Sequence, residues 1–171
     1  MNDPTTVIRP AERGDLDYIL SSWMRTYEHA PEMNMPGMIR DEYFRMTHLV
    51  LDELIARASR AGSLYVACER NAPHLIKGYL CGEAFDRPPI AYLHWVQVKK
   101  QYWRQGICTA LVDKYVKDFG ITAEQNMLYT FSNKAMRIPG FAQHMNERYS
   151  MVYYPWFKYT SQEPGWESGI V

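Results

Sequence analysis

The sequence predicts an α/β (α+β) domain built on one mixed, mostly antiparallel sheet of six to seven strands, with helices flanking it. Three observations carry this. Three apolar runs between residues 64 and 98 follow one another with only turn residues between them, the pattern of an antiparallel meander. Amphipathic helical periodicity stands on both sides of that block. The third run leads through a short cationic loop and Gly106 into a helix, and the apolar run reached through that helix lies parallel to its predecessor.

Thr5 to Arg9 reads as a first strand, stopped by Pro10. Asp15 has the character of an N-cap, and Leu16, Ile19, Leu20, Trp23 and Tyr27 follow at helical spacing. Residues 28–39 hold Pro31, Pro36 and Gly37 and read as a loop, although Met33, Met35 and Met38 make it apolar for a solvated linker. A second helix is predicted from Asp41 to Arg60, with Tyr43, Met46, Val50, Leu54 and Ala58 on its buried stripe and Gly62 ending it. Leu64–Cys68, Ile76–Phe85 and Ile90–Val98 are the meander strands, separated by turns at Asn71-Ala72-Pro73 and Arg87-Pro88-Pro89. After Gly106, Cys108, Leu111, Val112, Tyr115 and Phe119 share a helix face that Gly120 closes. Met127–Phe131 is the fifth strand; Pro139-Gly140 is expected to interrupt any helix in 133–148; Met151–Tyr159 supplies one or two last strands.

The chain has 171 residues, which suits one domain, taken as residues 1–160 with 161–171 as a tail. Hydrophobic residues are 47% and charged residues 22%, enough for a core and against global disorder. Nineteen basic and nineteen acidic side chains cancel, which disfavours nonspecific nucleic-acid binding by the chain's overall field. No apolar run is long enough for a membrane span, and MNDPTTVIRP lacks the apolar segment of a signal peptide. Cys68, Cys81 and Cys108 have no CxxC spacing, so a reduced, cytoplasmic protein is expected. His29, His48, His74 and His144 show no metal-ligand spacing, so no metal is expected.

Residues 90–116 carry the functional signal. A strand delivers the backbone to a turn, Gly106 lets the main chain approach a ligand, and the first N–H groups of the helix point at an anion with the helix dipole behind them. Lys99, Lys100 and Arg104 add positive charge there. The expected ligand is a phosphorylated carrier.

The order of elements, together with VKKQYWRQGICTAL over Val98–Leu111, resembles the general N-acetyltransferase (GNAT) superfamily over roughly residues 5–141. Tyr102, Arg104, Gly106, Ile107 and Leu111 sit where that family's loop pattern puts them, and weaker matches lie at Ile8-Arg9-Pro10-Ala11 with Asp15 and at Ser132-Asn133 with Gly140-Phe141. The resemblance implies an acyl-CoA-dependent N-acyltransferase, with acetyl-CoA or another acyl-CoA as donor, moving an acyl group directly to an amine. It implies a splay between strands four and five, where the exposed backbone of Val96, Gln97 and Val98 grips the pantetheine arm by strand augmentation. It places the pyrophosphate against Trp103, Arg104, Gln105, Gly106, Ile107 and Cys108, with Asn133 nearby. Two departures stand out: Trp103 replaces the usual Arg or Gln, and the segment from Asn133 to Gly140 lacks the tyrosine that many relatives use as an acid.

Acyl transfer needs a neutral amine, a donor for the charge growing on the carbonyl, and a proton for the leaving thiolate. His94 lies near where relatives place a base, and an unperturbed imidazole suits proton removal near neutral pH. Glu83 shares a strand face with Tyr79, Cys81 and Phe85 and could act through water. Tyr149, with Tyr153, Tyr154 and Tyr129 behind it, is a candidate for the missing acid. Each has a structural alternative: a histidine satisfied in the sheet, a solvated strand-end charge, aromatic packing. Cys108 at a helix start resembles a nucleophile, but its small size beside a pyrophosphate explains it better.

The methionine loop and Tyr153-Tyr154-Pro155-Trp156-Phe157 suggest walls for a small-molecule or macromolecular amine acceptor, or a homodimer face. Two other functions compete. One is a Mom-like enzyme modifying DNA bases, for which Lys134, Arg137, Arg148 and Lys158 interleave with aromatics, with nucleic acid the less favoured partner. The other is a noncatalytic binding module on the same fold.

Overall fold

The structure, a computed structural model, describes residues 5–28, 45, 48, 49, 51–53, 55, 56, 62–86, 89–122, 127–129 and 140–153. In chain order these give β1 (Thr6–Pro10), a 3-10 turn (Arg13–Asp15), α1 (Leu16–Glu28), β2 (Gly62–Glu69), β3 (Ala72–Asp86), β4 (Pro89–Val98), a second 3-10 turn (Lys100–Tyr102), α2 (Ile107–Asp118), β5 (Met127–Tyr129), α3 (Phe141–Tyr149) and β6 (Met151–Tyr153). The described positions between 45 and 56 are helical, within the helix expected over Asp41–Arg60. The ends of that helix, the methionine loop, Phe131, Asn133, Lys134, Arg137 and all positions beyond Tyr153 lie outside the described residues.

The sheet runs β1-β2-β3-β4-β5-β6. The first four strands form the expected meander, each antiparallel to the next. β5 lies parallel to β4, and β6 parallel to β5, because each is reached through a helix. The β2–β3 turn is tighter than expected: Arg70 and Asn71 make it, and Ala72 already pairs with Glu69.

Two helices cover opposite faces. Tyr79, Cys81 and Glu83 share one face of β3, being two residues apart. Across it lies α1, where the Trp23 ring stacks on Trp95 at 5.1 Å and 13° and the Tyr18 ring meets Tyr79 edge-on. The other face carries Leu80 and Gly82 and is covered by Leu111, Val112 and Tyr115 of α2, at the helical spacing read from the sequence. Buried Lys77 ties the edge together: its ammonium bonds Thr5 and Thr6 hydroxyls and Glu69, and lies 5.4 Å from the Tyr102 ring centroid.

Two boundaries differ from expectation. Asp15 closes the 3-10 turn rather than capping α1; its carboxylate reaches back to the Glu12 N–H at 2.8 Å and takes both guanidinium nitrogens of Arg9, at 2.7 and 3.0 Å. Gly140, expected as an interruption, immediately precedes a helix, and the residues just before it lie outside the described ones. With φ 82 it takes the left-handed conformation that glycine adopts without cost, and α3 starts at the next residue. Among the described residues no helix is long and apolar enough to cross a membrane.

Candidate active site

The centre of the site is a β-bulge. Cys81 pairs with Trp95, but Gly82 pairs with Leu93, so His94 is an extra residue on β4. Tyr92 and Trp95 therefore share one face, opposite Glu83 and Cys81, although they are three residues apart. His94 is turned so that its Nε2 lies 2.9 Å from Glu83 Oε2. Both residues are only 2% exposed. The two sequence candidates thus form a single buried pair, and Glu83 is not the solvated strand-end charge that competed with it. With the carboxylate as acceptor, Nε2 is the donor in this bond.

The bulge is braced from the opposite face. The Tyr115 hydroxyl bonds the Glu83 carbonyl and lies 3.2 Å from the Tyr92 carbonyl. Burial pushes the Tyr115 hydroxyl well above the ordinary tyrosine range, so it stays a donor. Gly82 makes room for that ring: a Cβ there would sit 2.8 Å from the Tyr92 carbonyl oxygen and 3.1 Å from Tyr115 Cζ. Period-two reading contains no signal for the bulge; a glycine inside a strand was the one available hint.

Beyond the bulge, Val96, Gln97 and Val98 pair with Leu80, Tyr79 and Gly78 on the β3 side. Pairing with β5 spans Ala91–Leu93, and among the described residues it goes no further. The stretch that would face the outer edge of Val96–Val98, where the splay is expected, lies outside the described residues. The Gln97 side chain faces α1 instead, its Oε1 accepting from Tyr79 at 2.9 Å and from Trp95 at 3.3 Å.

The loop after β4 leads into α2 through an uncapped helix start. The first bond of α2 is Ala110 N–H to Gly106 C=O at 2.9 Å, so the N–H groups of Ile107, Cys108 and Thr109 precede the helical ladder, and no side chain caps this end. Gly106 has φ 76, and Arg104, a non-glycine, is also left-handed at φ 64. The Trp103 indole N–H donates to the Val98 carbonyl at 2.8 Å, and Gln105 reaches the Gln101 carbonyl at 3.4 Å. These features fit a diphosphate. Cys108 is no nucleophile here: burial pushes its thiol up to about 12.

Tyr149 is not brought to the Glu83–His94 pair. It ends α3, and its hydroxyl lies 2.7 Å from Asp113 and 2.9 Å from Arg148 Nε. Asp113 stands two residues before Tyr115 on α2, nearly opposite it around the helix, and so points away from the sheet. Burial, then the Asp113 bond, raise the Tyr149 hydroxyl. Arg148, one of the cations weighed for nucleic acid, is paired with Asp113 at 2.9 Å. Tyr129 pairs with Leu93 at the end of β5 beside the bulge. Asn133 and Tyr154 lie outside the described residues.

Several solved acetyltransferases have a similar fold. The fold is similar to an aminoglycoside acetyltransferase from an uncultured soil metagenomic sample, solved with sisomicin, at 16% identity and TM-score 0.53 over 82% of this chain and 86% of that one. It is similar also to a possible acetyltransferase from Clostridium difficile 630, at 16% identity and TM-score 0.56 over 91% and 97%. No curated protein matches the chain. The family model described as "Acetyltransferase (GNAT) family" matches residues 20–135, about two thirds of the sequence, spanning α1, the bulge and the amide loop. The chain belongs to the acetyltransferase (GNAT) family.

Proposed function

We propose that this N-acetyltransferase carries an acetyl group from acetyl-CoA directly to an amine, with His94 as general base and Glu83 holding it in place. The observation that carries this reading is the buried Glu83–His94 bond, made at a bulge beside the strand edge and amides that suit the donor. The N–H groups of Ile107, Cys108 and Thr109 take the pyrophosphate, and the edge of Val96–Val98 takes the pantetheine amides, fixing the thioester in the splay. The His94 ring, held by its bond to Glu83, accepts the proton of the attacking amine through a water, because the ring itself is buried in the sheet. The nitrogen bonds the acyl carbon, the carbon–sulfur bond breaks, and the thiolate leaves, taking its proton from solvent. Acetyltransferases of this family use acetyl-CoA; that this chain does so is part of the proposal.

The acceptor is an amine, its chemical class left to the panel below. Free Cys68, Cys81 and Cys108 suit a reducing cytoplasm. The test is thiol release from acetyl-CoA across a panel of amines. His94→Ala is expected to lower turnover by about 10²–10⁴-fold with the acetyl-CoA KM unchanged, and an unaltered rate rules out this assignment.

A further inference from the structure

Trp103 is left unexplained by that chemistry. The residue is 54% exposed, and its polar tip is already spent on the Val98 carbonyl at 2.8 Å. What faces solvent is a flat apolar surface held in one orientation. An exposed indole ordinarily gains nothing from being held. A fixed one costs a planar ligand less to meet, because the ordering is done before binding. Its place is specific too: it stands in sequence between Val98, to which it is tied, and Ile107, where the helix amides begin. Its neighbours Lys100 and Arg104 are exposed cations. Lys99 is turned elsewhere, its ammonium 4.5 Å from the Tyr18 ring centroid on the α1 side.

We infer that Trp103 is a stacking platform for the adenine of the acyl donor, so that the protein reads the nucleotide half of coenzyme A as well as its thioester; this rests on the donor reading above. A purine offers a π-face of the same size as the exposed indole, and such stacking is sequence-tolerant and strong enough to matter. Lys100 and Arg104, both exposed, flank it in sequence and supply positive charge for the ribose phosphate of the same nucleotide. Trp103 is therefore a specificity residue for the donor, in a position where the resemblance leads one to expect a phosphate-binding cation.

Calorimetry on the full chain with coenzyme A, dephospho-coenzyme A and 4′-phosphopantetheine tests this. The first two carry adenine and the third does not. Trp103→Ala is expected to weaken both adenine-bearing ligands about tenfold and to leave 4′-phosphopantetheine unchanged; Trp103→Phe, which keeps a ring and loses the tether, is expected to fall between. Equal weakening of all three ligands makes Trp103 a loop fastener and overturns the inference. So does Trp103→Ala with unchanged affinities. Wild-type protein that binds none of the three overturns the donor reading itself, whereas binding and thiol release that are indifferent to Trp103 remove this inference alone.

Discussion

Replacing Gly82 by alanine tests whether the bulge is what makes the site. The added Cβ would meet the Tyr92 carbonyl oxygen at 2.8 Å and Tyr115 Cζ and Cε2 at 3.1 and 3.2 Å. Carbon contacts are relaxed at about 3.5–4.0 Å, so each neighbour must yield by roughly half an ångström. None can do so cheaply. The oxygen belongs to the paired strand, and the ring is fixed by its hydroxyl on the Glu83 carbonyl. Overpacking of this kind costs about 1–3 kcal/mol, and two rigid neighbours place Gly82→Ala in the upper half of that range. For a chain of this size that is a fall of about 4–12 °C in Tm. Relief by parting β3 from β4 would also lengthen the Glu83–His94 bond, so turnover should fall well beyond any loss of folded protein. Urea denaturation gives the first quantity, and acetyl-CoA turnover at a temperature where the variant is fully folded gives the second. Gly14→Ala is the control, since nothing lies within 4 Å of a Cβ there. A Gly82→Ala protein within about 0.5 kcal/mol of wild type, with full activity, refutes the reasoning.

Other outcomes follow from the same geometry. With its thiol pushed up to about 12, Cys108 holds only about one thiolate in 10⁴ at pH 8; iodoacetamide labelling read by mass spectrometry should be slow and should quicken as pH rises, and prompt labelling at pH 8 contradicts the burial described. Tyr149→Phe removes a hydroxyl bonded to Asp113 and Arg148, so stability should fall by about 1 kcal/mol while turnover holds; a large loss of turnover would restore Tyr149 as the acid.

Much of this architecture is legible in the residues, and the illegible parts have definite causes. The meander and the α2 stripe are local: period-two and period-3.6 patterns record burial directly. The amide loop is legible because Gly106 marks a backbone that needs positive φ. His94 and Glu83 were both legible as candidates, but not as partners. Their bond depends on one extra residue in β4, and alternation read from one strand assumes unbroken pairing with the next. Gly140 was read as a breaker because the same left-handed residue can end one helix or precede another, and only the following residues decide which. Tyr149 was misplaced with it: once α3 starts at Phe141, that tyrosine falls on the helix end nearest Asp113. The Trp23–Trp95 stack joins residues far apart in the chain, and no local pattern encodes it.

The left-handed backbone at Arg104 sets a limit on improving this protein by selection for robustness. A side chain in that conformation costs about 1 kcal/mol that glycine would not. A heat-challenge library scored only on survival is therefore driven toward glycine at position 104. If the donor sits as proposed above, that route trades a cation near its phosphates for thermal endurance, so hardened descendants are expected to release coenzyme A most readily.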